Sequence, residues 1–241
     1  METLTGFERF DFDGPLLDDA RVSHPVYVRG EGPPIIIWQE LPGIGPTTLK
    51  LVERLVTDGF RIYLPHLFGP LGRQSFAGNI MRLFCMRREY ALFARQRSSP
   101  IVHWMAALCR EVQMRENNRQ VGTIGMCLTG GFALTLMADD AVLGGVASQP
   151  SLPLFGQSAL HMDRAQIKAA REGIAKKGGA IAMRYASDPL CRGAKMEAIE
   201  AAFGDAVVTH SFRGRGHALL TDHFSDAAYE TTRNYFTERF Q

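Results

Sequence analysis

Long apolar runs are missing from this chain. Nothing in its 241 residues approaches the uninterrupted apolar length that spans a bilayer, and the opening METLTGFERFDFDG is acidic. Both facts argue against a membrane anchor and a secretory leader. Cysteine is scarce and scattered: Cys85, Cys109, Cys127 and Cys191, with no CxxC pair. That spacing argues against a zinc site and against a disulfide framework, and it fits reduced thiols in a cytoplasmic setting. A strong charge of either sign is missing too. The formal net charge of +2 gives no reason to expect a nucleic-acid or anionic-membrane partner. There is no internal repeat, low-complexity tract or linker, so one domain over residues 1–241 is expected. Gly43-Ile-Gly45 follows a strand-like run, but the third glycine is missing and no GK[ST] follows, which argues against a dinucleotide or phosphate loop.

What is present is an ordinary globular composition, 46% hydrophobic and 22% charged. Residues 7–13 (FERFDFD) and 24–29 (HPVYVR) alternate apolar and polar, as half-exposed strands do, and predict an N-terminal antiparallel edge hairpin. Residues 34–38 (PIIIW) form a β-branched run typical of a central strand covered on both faces. Strand patterns at 60–64, 121–126, 141–148, 180–185 and 206–212 then alternate with helical patterns at 46–59, 101–115, 163–177, 191–203 and 222–240. Residues 75–97 add a helix rich in Phe, Met, Leu and Arg that is a candidate pocket wall. Alternation of this kind implies an α/β fold with a mostly parallel central sheet and helices on both faces.

The stretch VGTIGMCLTGGFAL, residues 121–134, reads as strand, tight turn and helix to Met137, with Cys127 at the apex. Gly125 and Thr129 lie two places either side of it and Gly130 follows, the small-x-nucleophile-x-small pattern of a nucleophile elbow. Bulky neighbours there would collide with the adjoining strand and helix, so small residues are a steric requirement. A buried packing cysteine in a glycine-rich turn is the plainer alternative.

Four polar residues fall just beyond strand ends: Glu40, Cys127, Asp188 and His217. Strand ends on one edge of a parallel sheet converge, and the order nucleophile, acid, histidine is that of α/β-hydrolases. Cys127 would attack an ester or lactone carbonyl, His217 would move protons, and Asp188 would orient the imidazole. The backbone N–H groups of Leu128 and Leu41 would form the oxyanion hole. His66 is the best rival to His217. His24 lies near the hairpin, His210 in a strand and His223 at the start of the last helix. Asp205 precedes a strand, so Asp188 is preferred.

WQELPG around Glu40, PHLFG after the next strand, GMCLTGG around Cys127, YASDP around Asp188 and GRGH ending at His217 together resemble the dienelactone hydrolase family, across nearly the whole chain. The resemblance implies an α/β-hydrolase fold and a Cys-Asp-His triad that hydrolyses a carboxylate-bearing lactone. It further implies a glutamate, here Glu40, that contacts the resting cysteine and keeps it protonated between turnovers. No cofactor or metal is implied. The expected partner is a small-molecule ester or lactone, and the expected assembly a monomer or small homo-oligomer. The chain departs from the family at Thr129, where glycine is usual, and at His66, where an acidic residue is common. It also lacks the substrate-clamping arginine shortly after the catalytic histidine, since residues 218–222 read ALLTD. Arg87, Arg88, Arg213 and Arg215 are the candidates to replace it. A second function, from a different class, is a non-catalytic, redox-responsive protein with Cys127 as an oxidisable thiol.

Overall fold

The structure, a computed structural model, describes residues 4–72, 99–151 and 158–241. Eight strands form one sheet in the order β1-β2-β4-β3-β5-β6-β7-β8. They are β1 (Glu8–Pro15), β2 (Arg21–Arg29), β3 (Pro34–Trp38), β4 (Arg61–Pro65), β5 (Val121–Met126), β6 (Val142–Ser148), β7 (Ala180–Tyr185) and β8 (Val207–Phe212). β1 and β2 pair antiparallel, as the edge hairpin predicts, and β2 joins β4 antiparallel. Every other pairing is parallel.

Helices α1 (Pro46–Thr57), α2 (Ile101–Arg115), α3 (Gly130–Leu136), α4 (Arg164–Lys176), α5 (Gly193–Phe203) and α6 (Asp226–Arg239) cover the sheet. The strand period of two sends alternate residues of β3 to opposite sides. Ile36 and Trp38 pack with Trp104, Leu108, Leu134, Ile174 and Phe203 from α2 to α5. Ile35 and Ile37 face the other way, against Leu51 and Leu55 of α1 and Phe236 of α6. All five residues of β3 are buried, which is why that run is continuously apolar. No helix among the described residues is long and apolar enough to cross a membrane.

The register gathers the strand ends. Trp38 of β3 lies opposite Gly125 of β5, Met126 opposite Ser148 of β6, Ser148 opposite Met183 of β7, and Tyr185 opposite Phe212 of β8. The loops that follow these strands therefore open on one edge of the sheet.

Two helices begin two or more residues later than their sequence patterns predict. α5 starts at Gly193 and not at 191, because the N–H groups of Leu190 and Cys191 are held by Asp188 Oδ1 at 2.8 and 3.1 Å. The last helix starts at Asp226 and not at 222. Ser225 caps it, its Oγ accepting from the Ala228 N–H at 3.3 Å. Before it, the N–H groups of Thr221 and His223 bond to the Ala218 carbonyl, and that of Ser225 to the Leu219 carbonyl. His223 thus sits in a turn and not in the helix. The expected helix over 75–97, with Arg87 and Arg88, lies outside the described residues.

Candidate active site

β5 runs into Cys127, whose φ of +53° is in the left-handed region. A non-glycine residue there costs of order 1–3 kcal/mol and persists only where its surroundings enforce it. The enforcement is visible. A Cβ on Gly125 would stand 2.3 Å from the Thr129 carbonyl oxygen, and one on Gly130 would stand 2.7 Å from the Pro150 Cα. Both glycines are demanded by close backbone approach. Thr129, the departure from glycine, has its own work. Its buried hydroxyl accepts from the Met126 N–H at 3.0 Å and lies 3.0 Å from the Met126 carbonyl and 3.2 Å from the Trp38 carbonyl. It pins the turn beneath Cys127 to the end of β3.

Asp188 follows β7 and has no exposed side-chain surface. Its Oδ1 accepts from the Leu190 and Cys191 N–H groups, and its Oδ2 lies 2.7 Å from His217 Nδ1. With Nδ1–H donated to the carboxylate, Nε2 of a neutral His217 is left as an acceptor. Burial works against a charged imidazole here. The bond to Asp188 and the nearby Cys127 sulfur outweigh it and push His217 up to about 10. The turn carrying His217 is folded tightly: Gly216 has φ +110°, and a Cβ there would come within 2.2 Å of the His223 ring. Ser187 reaches over from the β7 end to the Gly214 carbonyl at 2.7 Å.

Ser151, just past β6, reaches both sulfur and imidazole. Its Oγ is 3.4 Å from Cys127 Sγ and 3.4 Å from His217 Nε2, and its N–H donates to the Cys127 carbonyl at 3.0 Å.

Glu40 is buried beyond β3. Thr221 donates to its Oε1 at 2.6 Å, and Gln149 Nε2 lies 3.5 Å from its Oε2. Gln149 is itself buried and hydrogen-bonded to Ser148. Burial is the main cause that raises the Glu40 carboxyl from 4.5 to about 7; the Thr221 bond opposes it. The neighbouring Gln39 locks the same loop to the one after β4. Its Oε1 accepts from the Leu67 N–H at 2.9 Å, and its Nε2 donates to the Phe68 carbonyl at 2.6 Å.

Of the residues singled out by sequence, Cys127, Asp188 and His217 are brought together, and Glu40 joins the same sheet edge. Glu40 interacts electrostatically with His217. The rival His66 is engaged elsewhere, its Nε2 2.8 Å from the Gly69 carbonyl. Leu128 follows Cys127 in the tight turn, and Leu41 lies in the turn closed by the Gly43 N–H on the Glu40 carbonyl. Arg213 and Arg215 are exposed on the loop that carries His217. No three metal-ligating side chains cluster among the described residues. Ser151, Gln149, Thr221 and Gln39 are the polar residues of this edge that sequence inspection missed. For Ser151 and Gln149 a signal existed, since both lie just beyond a strand end.

The fold resembles that of an esterase of Pyrococcus furiosus, with a TM-score of 0.67 at 11% identity over 98% of this chain and 94% of that one. It also resembles a candidate dienelactone hydrolase of Klebsiella pneumoniae (TM-score 0.64, 14% identity, 97% and 98% covered). A cold-adapted esterase from an Arctic intertidal metagenomic library gives 0.62 at 14% identity, with 100% and 97% covered. No curated protein matches the sequence. The family model for dienelactone hydrolases, however, matches residues 19–240, so the chain belongs to the dienelactone hydrolase family and is by class a hydrolase of esters or lactones.

Proposed function

We propose that this protein hydrolyses a small carboxylic ester or lactone through a thioester on Cys127. The observation that carries the reading is the 2.7 Å Asp188–His217 pair beside a cysteine held at positive φ on a strand-to-helix corner. His217 takes the thiol proton, and the sulfur attacks the carbonyl carbon. The oxyanion that forms is met by the N–H groups of Leu128 and Leu41. Collapse expels the alcohol oxygen, which takes the proton from His217; in a lactone the leaving hydroxyl stays tethered to the acyl group. Water, deprotonated by the same imidazole, then cleaves the thioester and frees the carboxylic acid and the thiol. Asp188 holds the tautomer and stabilises the imidazolium throughout.

Glu40, a carboxyl that holds its proton up to about neutrality, is assigned to the resting state of the site. It would change protonation as substrate displaces water from the edge. Arg213 and Arg215 supply positive charge on the His217 loop and would favour an anionic ester over a neutral one. The residues require no cofactor for this chemistry.

The test is a panel of chromogenic esters and lactones with the acyl-enzyme trapped by acid quench. Mass added on the peptide containing Cys127, and absent in Cys127→Ala, is the expected result. Turnover by Cys127→Ala at the wild-type rate would refute it.

A further inference from the structure

Ser151 is the one hydroxyl that touches both the nucleophile and the base among the described residues, and the proposed triad leaves it without a task. Its position is built. The Ser151 N–H is bonded to the Cys127 carbonyl, so the serine is carried by the same corner that carries the sulfur. The side chain is buried, 6% exposed, which removes solvent as its main partner. Both oxygen distances, 3.4 Å to Sγ and 3.4 Å to Nε2, fall within hydrogen-bond reach. The donor roles follow from chemistry. In the state that accepts the thiol proton His217 is neutral and Nε2 has no proton to give, so there the Ser151 hydroxyl donates to it. That leaves a lone pair on Oγ facing the S–H.

We infer that Ser151 relays the proton between Cys127 and His217, so that the nucleophile is activated through a serine hydroxyl. The inference rests on the Cys127 reading above. The step balances: the S–H bond breaks as its proton passes to Ser151 Oγ, and the serine O–H bond breaks as its proton passes to Nε2. A thiolate and an imidazolium result, with serine unchanged. The reverse transfer restores the thiol when the thioester is cleaved. Serine is a relay here and forms no covalent intermediate. Ser151, just past β6, thus becomes part of the activation machinery.

Two measurements test this, both on the full chain. The first is hydrolysis of p-nitrophenyl acetate, whose leaving group needs no protonation, so that nucleophile activation is what is read. Ser151→Ala should lower kcat by about 10²-fold, the scale of a lost acid–base contact, with little change in KM. Ser151→Thr, which keeps the hydroxyl, should recover most of that loss.

The second is alkylation of Cys127 by iodoacetamide, followed on its own peptide at neutral pH. Ser151→Ala and His217→Ala should each slow it, and the double variant should be no slower than His217→Ala, because one proton path has been cut twice. Multiplicative slowing, or an unchanged kcat in folded Ser151→Ala, would overturn the relay. So would a Ser151→Thr as impaired as Ser151→Ala. If Ser151→Ala does not fold, Ser151→Gly takes its place in both measurements. Failure of the relay leaves Cys127→Ala inactive, whereas failure of the Cys127 reading leaves it active, so the two are told apart.

Discussion

Thr221 donates a 2.6 Å hydrogen bond to Glu40 across 181 positions of sequence, and so joins the loop after β3 to the turn that follows His217. The bond holds a carboxyl in a fully buried place. Burial alone would keep that carboxyl protonated; the hydroxyl partly compensates the ionised form.

Glu40 should therefore make folding stability depend on pH in an unusual direction. Its folded value, about 7, lies above the ordinary 4.5, so between these the native state holds a proton that the unfolded chain has released. Stability contributed by the neutral carboxyl is present at low pH and is lost as pH rises through about 7, by on the order of 3 kcal/mol at most. Glu40→Gln should flatten that slope. Denaturant melts of both proteins across this window check it; parallel curves would mean that Glu40 is not protonated in the native state. Above about pH 7, where Glu40 is ionised and its charge opposes a thiolate, the same substitution should quicken alkylation of resting Cys127 and slow hydrolysis.

Cys127→Gly should separate stability from activity. Glycine tolerates the φ of +53° that the cysteine is forced into, so the variant should be more stable by about 1 kcal/mol even as hydrolysis is abolished. Cys109→Ala and Cys191→Ala should retain activity in the folded fraction, although both cysteines are buried and the substitutions leave small voids. Thermal melts paired with ester assays decide the matter. A destabilised Cys127→Gly would show that the corner is not strained.

Asp188→Asn should leave the fold intact and lower kcat by about 10²–10⁴-fold, as the imidazole loses its orienting acceptor. The accompanying pH signature has a definite sign. His217 is raised to about 10, so the stability from its charged form is complete below 6.5 and lost as pH climbs through about 10. In Asp188→Asn that loss should move to lower pH. An NMR titration of the His217 ring in both proteins reads it directly, and identical titrations would remove Asp188 from the role.

Thr129→Val should cost about 1–3 kcal/mol, since it buries the Met126 N–H without its acceptor. Thr129→Ser should be nearly neutral. Urea unfolding of the pair checks this; equal losses would show that the methyl group, and not the hydroxyl, is what the corner requires.

How much of this was legible in the sequence differs residue by residue. The gathering of Cys127, Asp188 and His217 on one sheet edge was, because each follows a strand, and parallel strands joined by helices end on one edge. β3 was legible for the same local reason: five apolar residues in a row can only be central. Thr221 was not. Its neighbours ALLTD continue helically into the last helix, and nothing local says that Ser225 will cap that helix and leave Thr221 in a turn. Its partner lies near the other end of the chain, and a contact of that span leaves no periodic trace. Gln149 and Ser151 were hidden differently. They follow a strand whose end was assigned, but a Gln-Pro-Ser stretch carries no reactive signature until its distance to sulfur is known. Thr129 read as a defect in a glycine motif, and only the packing shows the hydroxyl replacing the space with a bond.

The way the edge is assembled has a consequence for synthesis of the protein. Cys127 is made about midway through synthesis, but Asp188, His217 and Thr221 come from the last quarter of the chain, and β7 and β8 must dock before they reach it. While the ribosome is still extending the polypeptide, Cys127 is expected to behave as an ordinary thiol, with no imidazole to draw off its proton. As the proposed nucleophile, Cys127 would be carried disarmed on the nascent chain, and its reactivity would switch on only when the final strands close the sheet.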